Sequence, residues 1–212
     1  MRLFVALYPP AGALDDIFAE VGRLRVGRAA AEDVRIRLVD RESAHITLAF
    51  LGDVDDDRLP EVTAALARAA APAAPVPTAS PPPAPEAPGV PPAPAPPVGP
   101  LRLRLAGGGE FGAGRHSVLW ADVHGDVAAL HALAGRIRSE LHRAGLPYDG
   151  RPFRPHLTIA RPQGRLDPED VAQDRAALDR YRGPAWPATE MVLVRSHLGP
   201  RPLHHRLARW SL

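Results

Sequence analysis

Between Pro72 and Pro100 the chain is mostly proline and alanine, with a few Val, Gly, Ser and Thr residues and one Glu. About half of the 26 prolines fall there. Proline has no backbone N–H and fixes φ, so such a stretch propagates neither a helix nor a strand ladder. It also lacks an apolar period. It reads as a disordered insertion over 72–100, partly polyproline II, between two folded lobes. A chain of 212 residues is thereby cut into two blocks of ordered elements. Together they are expected to form one bilobal domain over residues 1–212.

Apolar patterning assigns the elements of each block. Arg2–Tyr8 reads as a buried strand stopped at Pro9. Leu14, Ile17, Phe18, Val21 and Leu24 mark one face of a helix. Ile36–Val39 and His45–Leu51 are strands separated by the polar turn Asp40–Ser43, and Gly52 closes the second. A further helix runs from about Asp56 to Ala71. Beyond the tract, Leu101–Leu105 alternates as a strand, and Gly107-Gly108-Gly109 reads as a turn. Val118–Val123 is a strand. Val127 to about Ala144 is a helix with Gly145 placed as its C-cap. His156–Ala160 is a strand, Pro168–Leu178 a helix, and Met191–Val194 and His204–Trp210 are strands. The blocks resemble each other, which points to an internal repeat. The fold class is α+β, with two pseudo-symmetric lobes. Each lobe is an antiparallel sheet with helices on its outer face, and the two form a central cleft.

Every basic residue is Arg, whose planar fork suits phosphate. Codon bias in a GC-rich genome accounts for that preference without selection for function. Cysteine is absent, which excludes disulfides, thiolate zinc sites and thiol nucleophiles. No apolar stretch approaches the roughly 18 residues needed to span a membrane, and the short N-terminal apolar run is too brief for a signal-peptide core. A cytoplasmic, monomeric protein without membrane contact is expected.

One short phrase occurs in both blocks. His45-Ile46-Thr47-Leu48 and His156-Leu157-Thr158-Ile159 are each His-x-Thr-apolar at the head of an apolar strand. Residues i and i+2 of a strand share a face, so each copy sets an imidazole beside a hydroxyl. The apolar partners point into the core. Two such pairs brought together supply an acid, a base and two hydroxyl donors, enough to attack a phosphodiester without a metal. Neither copy contains Asp or Glu, so no metal site and no cofactor are expected. Arg161 follows His156 by an odd number of residues, so Pro162 or a bend must turn it toward the same face. Arg151 and Arg154 are weaker candidates, equally well read as solvated loop arginines. Of His204-His205, at most one can face a cleft.

The longer contexts carry a resemblance. Met1–Leu7, His45–Gly52, Leu119–Ala121, Arg151–Arg161 and Leu193–Ser196 are similar to RNA 2′,3′-cyclic phosphodiesterases, the 2′-5′ RNA ligase-like group of the two-histidine phosphoesterase superfamily. Two departures stand out. Leu38 stands where many relatives carry Trp, and His204-His205 stand near a position where Tyr is common. The resemblance implies hydrolysis of RNA 2′,3′-cyclic phosphate ends to 2′-phosphomonoesters. It implies His45 as proton donor, His156 as proton acceptor, and Thr47, Thr158 and Arg161 as substrate contacts. The near-symmetric repeat does not itself fix the direction of proton transfer. In some members the family implies reversible 2′-5′ ligation of tRNA halves, so tRNA or other RNA ends are the expected partners. A 2′-5′ phosphodiesterase and a non-catalytic RNA-end or nucleotide-binding module remain the alternatives.

Overall fold

The computed structural model describes residues 1–32, 36–71, 100–112, 114–197, 199 and 203–212. All of the Pro/Ala tract except Pro100 lies outside the described residues. The elements run β1 (Arg2–Leu7), α1 (Ala11–Arg23), α2 (Arg25–Ala31), β2 (Arg37–Leu38), β3 (Ile46–Asp53) and α3 (Leu59–Ala70). After the tract come β4 (Leu101–Phe111), β5 (Val118–Gly125), α4 (Val127–Arg143), β6 (His156–Arg161), α5 (Pro168–Arg180), β7 (Arg182–Ala188), β8 (Glu190–His197) and β9 (Leu203–Ser211).

The strands pair in the order β7-β4-β5-β6-β3-β1-β8-β9, with β2 added against β6. Every recorded pairing is antiparallel. The order divides at the middle. β7-β4-β5-β6 and β3-β1-β8-β9 are joined by a single pair, Ile46 opposite Leu157. These are the two antiparallel lobes of an α+β fold, and each His-x-Thr strand lies on the inner edge of its lobe.

The lobes do not follow the break at the Pro/Ala tract. β8 and β9, late in the chain, pair with β1 to complete the first lobe. β2, from before the tract, pairs with β6 of the second. Helix α1 packs on β7 and β4, whereas α4 packs on α3 and β3. Buried side chains from both lobes, among them Leu3, Ile46, Leu66, Leu103, Leu130 and Ile159, form one continuous core.

Three local features depart from the sequence reading. Gly107–Gly109 is no turn but the middle of β4, bulged between Leu105 and Gly108. Gly109 is required by packing, because a Cβ there would lie 2.1 Å from Cζ2 of the buried Trp120. Strand β7 carries Pro184 and Pro187, which hide it from a β-propensity reading. It lies at the sheet edge, where a missing N–H costs no ladder bond. Helix α2 is short and apolar on few positions. Its first N–H groups, from Arg25 and Val26, donate to the buried Asp174 carboxylate of α5 at 2.7 and 2.9 Å. Gly145 caps α4 as expected, with φ of 62° and a Leu146 N–H to Leu141 C=O bond of 2.9 Å.

Candidate active site

A cleft of about 1000 Å³ contains all five residues singled out from sequence: His45, Thr47, His156, Thr158 and Arg161. Its other lining side chains include Arg37, Leu38, Phe50, Phe111, Arg154 and His204. Leu38 and His204 therefore both face this space.

The two imidazoles are held alike. Nδ1 of His45 donates to the Ser43 carbonyl at 2.6 Å, and Nδ1 of His156 donates to the Arg154 carbonyl at 2.7 Å. A carbonyl only accepts, so in both rings the fixed proton sits on Nδ1. Nε2 is then the exchanging nitrogen, an acceptor when the ring is neutral and a donor when it is charged.

The strands beneath them share a second device. In β3, Leu48 is an extra residue opposite β1, since Val5 pairs with Ala49 and Ala6 with Thr47. In β6, Ile159 is extra opposite β5, since Leu119 pairs with Ala160 and Trp120 with Thr158. Each bulge directly follows the threonine and shifts the side-chain parity by one. Leu48 and Ala49 are therefore both buried, as are Ile159 and Ala160. The fifth residue after each histidine returns to the cleft: Phe50 on β3 and Arg161 on β6. This bulge, rather than Pro162, redirects Arg161.

The surroundings of the two rings differ. His45 stacks on Phe4 at 4.7 Å and meets the edge of His204 at 5.2 Å. Its pKa is pushed down to about 4, chiefly by burial, with His204 and His156 also opposing its charge and the Ser43 carbonyl favouring it. His156 meets Phe111 edge-on at 4.9 Å and Trp120 at 6.0 Å. Burial again lowers its pKa first. Arg154 and Arg161 push the same way, while the Arg154 carbonyl and Asp122 favour the cation.

The two weaker arginine candidates separate. Arg151 is engaged by Asp149 through its backbone N–H and its guanidinium. The Arg154 guanidinium lies 4.2 Å from the Trp120 ring centroid and 5.4 Å from that of Phe111, so it is held beside His156 rather than free in a loop. His204, left open by the sequence, faces the cleft, whereas His205 is exposed and contacts His197. Its signal was alternation alone, which cannot say which of two adjacent residues points inward. Among the described residues no three His, Cys, Asp or Glu side chains cluster as metal ligands would, and no helix is long and apolar enough to cross a membrane.

The family model of the 2′-5′ RNA ligase superfamily matches residues 13–200. An RNA 2′,3′-cyclic phosphodiesterase of Geobacillus stearothermophilus is 32% identical over 178 residues, covering 82% of this chain and 47% of that protein. The chain thus spans about half the length of that relative. A Thermus thermophilus protein of the same name is 26% identical over 100% of this chain and 90% of its own length. Among solved structures, one from Thermus thermophilus superposes with a TM-score of 0.67 at 25% identity, covering 100% of this chain and 98% of that one. Escherichia coli LigT in its apo form gives 0.67 at 23% identity, covering 100% and 96%, a likeness of fold. With the family model spanning most of the sequence and both motifs meeting in one cleft, the chain belongs to the 2′-5′ RNA ligase superfamily.

Proposed function

We propose that this protein is a phosphodiesterase that opens the 2′,3′-cyclic phosphate at RNA ends to a 2′-phosphomonoester, using two histidines and no metal. The observation that carries this reading is the matched pair of imidazoles in one cleft. Both have Nδ1 tied to a carbonyl, and each is followed by a threonine on the same face. One neutral imidazole takes a proton from water through Nε2 as the oxygen attacks phosphorus. The P–O3′ bond breaks, and the other imidazole, charged, gives its proton to the leaving 3′ oxygen. Thr47 and Thr158 donate their hydroxyl hydrogens to the non-bridging oxygens, and Arg161 adds a charge-assisted hydrogen bond to the substrate's phosphate groups.

The family resemblance makes His45 the donor and His156 the acceptor. The resting electrostatics favour the reverse order: His45 carries the stronger opposition to charge, and Asp122 supports a cation at His156. An acidic His45 therefore requires the bound phosphate anion to raise its pKa. The relatives named as RNA 2′,3′-cyclic phosphodiesterases support the substrate class.

Incubation with a nucleoside 2′,3′-cyclic phosphate in the presence of EDTA tests the reading. Release of the nucleoside 2′-phosphate is expected, with no loss relative to untreated protein. Binding without product would favour the non-catalytic module, and loss on chelation would overturn the metal-free mechanism.

A further inference from the structure

Most arginines with a recorded ion pair lie outside the cleft. Arg2 is near Asp53, Arg25 near Asp170, Arg41 near Asp15, and Arg68 near Glu140. Arg37 and Arg161 have no carboxylate within 4 Å among the described residues, and instead they face each other. They are register partners across the β2–β6 ladder, and both line the cleft. Like charges directly opposite in an antiparallel pair oppose folding. The backbone nonetheless holds this pair in place. The bulge at Ile159 turns Arg161 toward the cleft. The two-residue strand β2 pairs with β6 alone, secured by the Val39 N–H to Ile159 C=O bond of 2.8 Å. Burial and Arg37 both oppose the charge on Arg161. An anion between the two guanidinium groups removes that opposition.

The position of the pair says which anion. At its N-terminal end β6 meets β3 through Leu157 and Ile46, beside the two histidines. At its C-terminal end it meets β2 through Ala160 and Arg161. His156 and Arg161 thus occupy opposite ends of one short strand, with the His45 strand beside the first and Arg37 beside the second. Because the bulge sets Thr158 and Ala160 opposite adjacent residues of β5, Thr158 to Arg161 covers about two strand steps, roughly 7 Å at about 3.3 Å per residue. One nucleotide unit and the reach of a guanidinium side chain span that interval.

We propose that Arg37 and Arg161 form a second anion subsite, which holds the internal phosphodiester next to the terminal phosphate of an RNA end. The inference rests on the proposed function and narrows it. The preferred substrate is an oligonucleotide end rather than a free cyclic mononucleotide.

Calorimetric binding of three probes tests the subsite without turnover. They are a nucleoside 2′-phosphate, a dinucleotide ending in the same 2′-phosphate, and that dinucleotide with a neutral methylphosphonate linkage. The charged dinucleotide is expected to bind at least about 10-fold tighter than the mononucleotide, as charge-assisted hydrogen bonds allow. The neutral linkage should erase that gain. Arg37→Gln should also erase it while leaving mononucleotide affinity in place, and Arg37→Lys should keep most of it. Three outcomes overturn the subsite: no gain in the wild type, a gain that survives the neutral linkage, or an equal loss on both charged probes in Arg37→Gln. Turnover of the cyclic mononucleotide by the wild type is scored separately. Absent turnover with an intact gain sinks the catalytic reading and keeps the subsite. Turnover without a gain sinks the subsite alone.

Discussion

The two His-x-Thr strands are alike in backbone and unlike in company. Each fixes Nδ1 on a carbonyl two residues upstream, and each bulges just after its threonine. Around His45 lie Phe4, Tyr8 and His204, and the fifth residue onward is Phe50. Around His156 lie Phe111, Trp120 and Arg154, and the fifth residue onward is Arg161. The shared parts are those any proton transfer on phosphorus needs: an oriented imidazole and a hydroxyl donor. The unshared parts surround His45 with rings, His204 among them, and set Arg154 and Arg161 beside His156. The two strands thus share a backbone device and differ in the side chains set around it.

The largest effect should come from breaking either imidazole. His45→Ala and His156→Ala are each expected to lower kcat/KM on a nucleoside 2′,3′-cyclic phosphate by about 10²–10⁴-fold, the usual worth of one acid or base. Their response to the leaving group then separates the halves. An aryl phosphodiester has a leaving oxygen that needs no protonation, so the variant lacking the general acid recovers on it and the variant lacking the base does not. Recovery by His45→Ala supports the direction implied by the family. Recovery by His156→Ala supports the direction favoured by the resting electrostatics. Near-wild-type turnover of the cyclic substrate by either variant would exclude paired-histidine catalysis.

Much of this site is legible in the sequence, because the doubled phrase is local. Alternation alone puts His45 beside Thr47 and His156 beside Thr158. What alternation cannot give is its own interruption. The bulges at Leu48 and Ile159 bring Phe50 and Arg161 into the cleft, and only the adjacent buried pairs Leu48-Ala49 and Ile159-Ala160 hint at them. The exchange of β2, β8 and β9 between lobes was hidden for another reason. Which strands pair is set by long-range packing, and a composition break such as the Pro/Ala tract marks the linear order only. Gly107–Gly109 reads as a turn because three glycines suit a turn as well as a strand that must pass close beneath Trp120.

A smaller effect tests whether the hydroxyls belong to the shared part. Thr47→Val and Thr158→Val preserve shape and remove one donor each. Each is expected to lower kcat/KM by about 10-fold, the order of a hydrogen bond to a charged group. The two losses should agree within about threefold, and thermal midpoints should barely move because both side chains are only partly buried. A loss confined to one variant would mean that the phosphate leans on one lobe, and the symmetric reading of the threonines would fail.

The smallest effect concerns pH and sharpens the unshared part. Both histidine pKa values are depressed, His45 to about 4, so each cation is lost at a lower pH than in a free imidazole. The proposed mechanism needs one ring charged and the other neutral, and kcat/KM reports the free enzyme. The profile should therefore be a bell whose maximum lies below pH 6.5, falling as pH rises through neutrality. His45, with its pKa near 4, sets the acid limb. Burial, the main cause of that low value, is unaltered by replacing His204 with another ring. His204→Phe keeps the edge contact and removes only a group that opposes charge on His45. The His45 pKa should then rise, moving the acid limb upward by less than about one unit, with the alkaline limb unchanged. A shift of the alkaline limb instead would mean that His45 is not the group titrating first. A profile flat from pH 5 to 9 would leave no role for a charged and a neutral imidazole acting together.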